Sequence, residues 1–118
     1  MNNYITRIIL NRIKQRIKPN KVIILLGARR VGKTVLLKAI ANEFEEKEVL
    51  FLNGEDQFTV SQLSNKSVSN YQRLLRSKKY FIIYEAQHIS EIGIILKLMV
   101  DEIDGIRIIV TGSSIFSK

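Results

Sequence analysis

The chain has 118 residues, 46% of them hydrophobic and 25% charged, with a formal net charge of +8, one proline, no cysteine and no tryptophan. That length suits one domain over residues 1–118, and the apolar fraction excludes a disordered chain. Without cysteine there is no disulfide framework or thiolate metal site, and a single histidine argues against a zinc centre.

Apolar runs such as Val22 to Leu26 fall far short of the ~18–20 residues that span a bilayer. The amino terminus lacks the continuous apolar core and small-residue cleavage site of a secretory signal. A soluble, cytoplasmic protein without membrane contact is expected. The charge is uneven: residues 1–38 hold ten Lys or Arg and no acid, whereas residues 39–118 hold nine bases against eleven acids. Such a basic segment points to a polyanion, which composition alone leaves open as nucleic acid, anionic lipid or a nucleotide phosphate tail.

Residues 4–17 place Tyr4, Ile5, Ile8, Ile9, Ile13 and Ile17 on one helical face, with Arg7, Lys14, Arg16 and Lys18 mostly elsewhere. This predicts a basic amphipathic helix in residues 1–20, ended by Pro19-Asn20, ahead of a core over 21–118. Val22 to Leu26 is rich in β-branched residues, as in a strand buried on both faces, and stops at Gly27. A helix from near Lys33 buries Val35, Leu36, Ala39, Ile40 and Phe44. Val49 to Leu52 reads as a second strand, closed by an Asn53-Gly54 loop. The polar stretch 57–79 suggests one helix, with Val68, Tyr71, Leu74 and Leu75 inward and Ser67 as its cap. Tyr80 to Tyr84 is a third strand. Ser90 is the expected cap of a helix running to about residue 103, and Ile106 to Val110 is a fourth strand leading into Thr111-Gly112-Ser113-Ser114. Wholly apolar strands alternating with helices predict an α/β three-layer sandwich with a mostly parallel sheet. A sheet ending at that fourth strand exposes an edge.

Between the first strand and the next helix lies Gly27-Ala28-Arg29-Arg30-Val31-Gly32-Lys33-Thr34, which fits G-x-x-x-x-G-K-[ST]. Gly27 and Gly32 let successive amide N–H groups turn inward around a phosphate. The helix adds its positive amino-terminal dipole. Lys33 is suited to the β- and γ-phosphates and the Thr34 hydroxyl to Mg²⁺. The nucleotide-binding set is therefore Gly27 to Thr34 with Val35, and the expected cofactors are ATP and Mg²⁺. A dinucleotide fingerprint is disfavoured because Arg29 occupies its second glycine position.

A P-loop NTPase also needs an acid at the end of a neighbouring strand, usually Asp or Asp-Glu after an apolar run. Here the run closes as Ile83-Tyr84-Glu85. Glu85 suits a general base or water-orienting group, with a solvated acid as the alternative. A phenol supports a metal shell poorly, and Tyr84 reads either as a packed amphipathic ring or as part of the site. Thr111 to Ser114 lie where α/β sheets place ligands, although the same residues commonly form turns. His88 reads as a surface residue.

Together, Gly27 to Thr34, Glu85-Ala86-Gln87, the Ile92-Gly93 to Asp101 helix and Val110 to Ser114 resemble the AAA-type P-loop ATPases of prokaryotes that carry a DUF4143 domain after the ATPase domain. The resemblance covers the first part of such a protein. It implies a P-loop NTPase (AAA/ASCE-like) core truncated after the fourth strand, with that strand between the first and third. It makes Gly27 to Thr34 the Walker A loop, sets Tyr84-Glu85 at Walker B, and places Ser113 or Ser114 at the sensor-1 position. Glu85 and Ser113 are thus the candidate catalytic residues and Thr34 the candidate metal ligand. Two departures stand out: Tyr84 replaces the Walker B aspartate, and the fifth strand, lid and arginine finger of the family are not in the sequence. Nucleotide binding therefore carries over better than hydrolysis. The alternative function is a nucleic-acid-binding module that uses the basic amino-terminal helix. A homo-oligomer is compatible with either reading.

Overall fold

The structure is a computed structural model and describes residues 3–26 and 31–112. Four apolar runs become the strands β1 (Lys21–Leu26), β2 (Val49–Asn53), β3 (Tyr80–Tyr84) and β4 (Arg107–Gly112). They form one sheet in the order β1-β4-β3-β2. Each neighbouring pair is parallel, with Ile24 opposite Val110, Ile83 opposite Val110 and Leu52 opposite Ile83. The fourth strand lies between the first and third, as the family resemblance implies, and β1 is an edge strand among the described residues.

Helices α1 (Asn3–Arg16), α2 (Val31–Ala41), α3 (Gln57–Ser64), α4 (Val68–Leu74) and α5 (Ile92–Glu102) cover the sheet. Because successive strand side chains point to opposite faces, each strand feeds two cores. Phe81, Ile83, Ile108 and Val110 pack with Leu63, Tyr71, Ile95 and Met99 from α3, α4 and α5. Ile82 and Ile109 pack with Ile13, Leu37 and Ile40 from α1 and α2. This is the α/β three-layer sandwich, and it explains why the strands do not alternate polar with apolar.

Helix α1 departs from its expected packing. Ile13 is buried, and Leu10 and Ile17 pack beside it, but Ile8 and Ile9 are exposed. A helix lying on a neighbouring helix and a sheet margin contacts them along a narrow stripe, and Ile8 and Ile9 fall outside it. An ion pair between Lys14 and Glu43 at 2.7 Å joins the helix to the segment after α2.

Residues 57–79 hold two helices rather than one. The Asp56 carboxylate accepts from the Phe58 N–H and caps α3, whereas the Ser67 hydroxyl accepts from the Asn70 N–H and caps α4. Side chains of α4 satisfy the carbonyls at the end of α3. Buried Asn70 donates to Gln62 and Asn65 at 2.8 and 2.9 Å, and the Tyr71 hydroxyl donates to Leu63 at 2.8 Å. Hydrogen bonds across the break replace those that a continuous helix would make.

Ser90 does not cap α5. The cap position is Glu91, in the left-handed region at φ 58°, without a side-chain cap bond. Ile89 and Ile92 are both buried, so the chain turns sharply between them and carries Ser90 outward. The far end of α5 is closed by a residue distant in sequence. Asn20, at φ 59°, donates from Nδ2 to the carbonyls of Val100 and Ile103 at 2.7 and 2.9 Å, and its Oδ1 accepts from Gly105 N–H at 2.9 Å. Orphan carbonyls at a helix end need such donors, so the Pro19-Asn20 turn both ends α1 and ties it to α5.

Candidate functional site

In a parallel sheet all strands finish at one edge, where α/β folds place their ligands. Here that edge brings together the end of β1 at Leu26, the Asn53-Gly54 turn after β2, Tyr84-Glu85 after β3, and Thr111-Gly112 at the end of β4. Helix α2 starts at Val31, five positions after β1 stops, so the phosphate-loop motif spans the strand-to-helix junction. First-turn amides of a helix lack intrahelical acceptors and suit an anion.

Glu85 sits at φ 55°, ψ 43°, a left-handed conformation that non-glycine residues adopt at some cost. Thr111, Gln87 and Gly54 are among the residues that hold it. Its N–H donates to the hydroxyl of buried Thr111 at 3.4 Å, tying β3 to β4. Gln87 Nε2 donates to Glu85 Oε1 at 2.6 Å. Gly54 packs against the same stretch of backbone, its N–H donating to the carbonyl of the preceding Tyr84 at 2.7 Å. A Cβ on Gly54 would lie 2.2 Å from the Glu85 carbonyl oxygen, so only glycine allows this approach. The loop after β2 is thereby pressed against the residue after β3.

Tyr84 packs in the layer shared with α1 and α2, its ring tilted 51° against Phe51 with centroids 5.6 Å apart. Its side chain therefore belongs to the packed layer, and the strand offers its carboxylate one residue later, at Glu85.

Among the sequence-derived site residues, Gly27, Ala28, Arg29, Arg30 and Ser113 lie outside the described residues. Val31, Gly32, Lys33 and Thr34 are described through their backbone, which forms the first turn of α2, and Val35 follows half-buried. Sequence reasoning missed the surroundings of Glu85. Gln87 is one of its hydrogen-bond partners. His88 is exposed, as expected, but its Nε2 lies 3.4 Å from Glu55 Oε2 and 3.9 Å from Glu85 Oε1. No periodicity links Glu55 to Glu85. The available signal was Gly54, a glycine directly after an apolar strand.

The comparisons with known proteins agree with this architecture. A chain described as the replication initiator DnaA bound to AMPPCP and single-stranded DNA superposes with a TM-score of 0.63 at 18% identity, covering 94% of this chain. The present chain spans 38% of that one. At that identity the likeness concerns the fold. No curated protein matches the sequence significantly. The family model of the AAA domain matches residues 19–118, which include the phosphate-loop motif and all four strands. The chain belongs to the AAA domain family of P-loop ATPase type.

Proposed function

We propose that this chain is a Mg-ATP-binding module whose phosphates sit at the β1–α2 junction and whose hydrolytic activity is weak or absent. The observation that carries the reading is the complete Gly27 to Thr34 motif, set between the edge strand β1 and helix α2, at the sheet edge that also holds Glu85 and Thr111. The donor set fits a polyphosphate: the amides of the loop and of the first turn of α2, with Lys33 adding a cation. Thr34, in that same turn, is the residue to hold Mg²⁺, which offsets charge on the phosphate oxygens.

Glu85 is the proposed base for the attacking water, kept in place by Thr111 and Gln87, and Ser113 is the proposed partner of the γ-phosphate or that water. Tyr84 limits turnover because its phenol replaces a carboxylate that would accept hydrogen bonds from metal-bound water. Calorimetric titration of Mg-ATP into the wild type and Lys33→Ala tests the binding site. Affinity is expected to fall in the variant, and equal affinity in both would refute the assignment.

A second reading rests on α1. Arg7, Arg12, Arg16 and Lys18 are exposed on or just beyond that helix, beside the exposed Ile8 and Ile9. The DnaA chain with the similar fold was solved with single-stranded DNA. Single-stranded DNA is the corresponding ligand for this basic face. Its affinity should fall with salt at a slope of about −0.7 per phosphate neutralised. A gel-shift series without binding at low salt would exclude it.

A further inference from the structure

We propose that Glu55, Glu85 and His88 form a binding site for a divalent transition ion of the zinc and cobalt class, separate from the Mg²⁺ that accompanies nucleotide. Three features of the fold build it. The residues Ala86–His88 form a 3₁₀ turn, with the His88 N–H donating to the Glu85 carbonyl at 3.3 Å. The turn thereby leaves His88 Nε2 3.9 Å from Glu85 Oε1. The approach of Gly54 to the Glu85 backbone then delivers Glu55 from the neighbouring loop. The turn at Glu55 is itself held, since its N–H donates to Asn53 Oδ1 at 2.9 Å.

One ligand atom from each of the three side chains lies within 4.8 Å of the other two. Two zinc bonds of about 2.1 Å at a tetrahedral angle separate their donors by about 3.4 Å. His88 Nε2 stands 3.4 Å from Glu55 Oε2 and 3.9 Å from Glu85 Oε1, so small side-chain rotations bring the three donors onto one ion. One imidazole with two carboxylates favours zinc or cobalt over magnesium, which takes oxygen donors. A single histidine is enough because the carboxylates complete the set. The Glu85 side chain is 13% exposed and supported by Gln87, whereas those of His88 and Glu55 are 42% and 44% exposed and give the ion access from solvent. Outer partners of this kind fix ligand orientation. Coordination would occupy Glu85, and its inhibitory consequence rests on the role of that residue proposed above. The binding itself does not.

Titration of the nucleotide-free chain with CoCl₂, followed by visible absorption, and with ZnCl₂, followed by the ring-proton signals of its one histidine, tests the site. Saturable binding of one ion per chain is expected, with loss of the cobalt spectrum in His88→Ala and in Glu55→Gln, and about tenfold weaker binding in Gln87→Ala. Circular dichroism establishes that the variants remain folded. Failure of either ion to perturb the wild type, or unchanged binding in folded His88→Ala, overturns the proposal. Because no nucleotide is present, that failure is distinguishable from failure of the ATP reading.

Discussion

Gly54 and Glu85 are in backbone contact across neighbouring strands: a Cβ at Gly54 would meet the Glu85 carbonyl oxygen at 2.2 Å. Gly54→Ala must therefore push the loop after β2 away from the end of β3. The expected costs are ~1–3 kcal/mol in stability from overpacking and a fall of about a hundredfold in any ATP turnover, with Mg-ATP affinity nearly unchanged. Urea denaturation and paired turnover and binding assays check this. Equal turnover in the variant would show that Glu85 tolerates the displacement.

Tyr84→Asp separates packing from catalysis at one position. Removing the ring from its place against Phe51 should destabilise the fold by about 1–3 kcal/mol. The new carboxylate, next to Glu85, should raise the Mg²⁺-dependent hydrolysis rate. A magnesium titration of ATPase rate on both proteins is the measurement, and an unchanged rate means that the tyrosine is not the limiting defect.

Asn20 supplies three side-chain hydrogen bonds at the end of α5 from a left-handed backbone. Asn20→Ala should cost about 2–4 kcal/mol, since it removes the donors to Val100 and Ile103 and puts at positive φ a residue that tolerates that conformation less well than asparagine. Asn20→Gly removes the same bonds without the backbone penalty and should cost ~1 kcal/mol less. Chemical denaturation of the pair distinguishes the two contributions.

Burial pushes the Tyr71 hydroxyl above its ordinary pKa of 10.0, because the phenolate would lose its hydration. The folded protein then holds this proton more tightly than the unfolded chain does. Its contribution to stability is full below pH 10 and disappears as the pH rises through the folded value. Tyr71→Phe should reduce the fall in stability above about pH 10, at a cost near neutrality of roughly 1 kcal/mol for the lost bond to the Leu63 carbonyl. Denaturation at a series of alkaline pH values compares the two slopes, and parallel slopes would exclude Tyr71 as a contributor.

The local code of this chain is strong where chemistry and burial act on neighbouring residues. Unbroken apolar runs at 22–26, 49–52, 80–84 and 106–110 mark the strands, although only the inner two are covered on both faces and Ile24 of the edge strand β1 is exposed, and the glycine-bracketed motif beginning at Gly27 marks a phosphate loop, because both depend on residues within a few positions of one another. The polar stretch 57–79 was less legible, since its break is held by Asn70 and Tyr71 reaching back to α3 rather than by a proline or glycine between the helices. What tertiary structure alone decided is the company of Glu85. Parallel strands separated by whole crossovers bring Gly54, Glu55 and Thr111 to the sheet edge that holds Glu85, and Asn20 to the end of α5. Contacts made across 20 to 90 residues leave no period in the sequence, because their spacing is set by strand order and not by the repeat of any helix or strand.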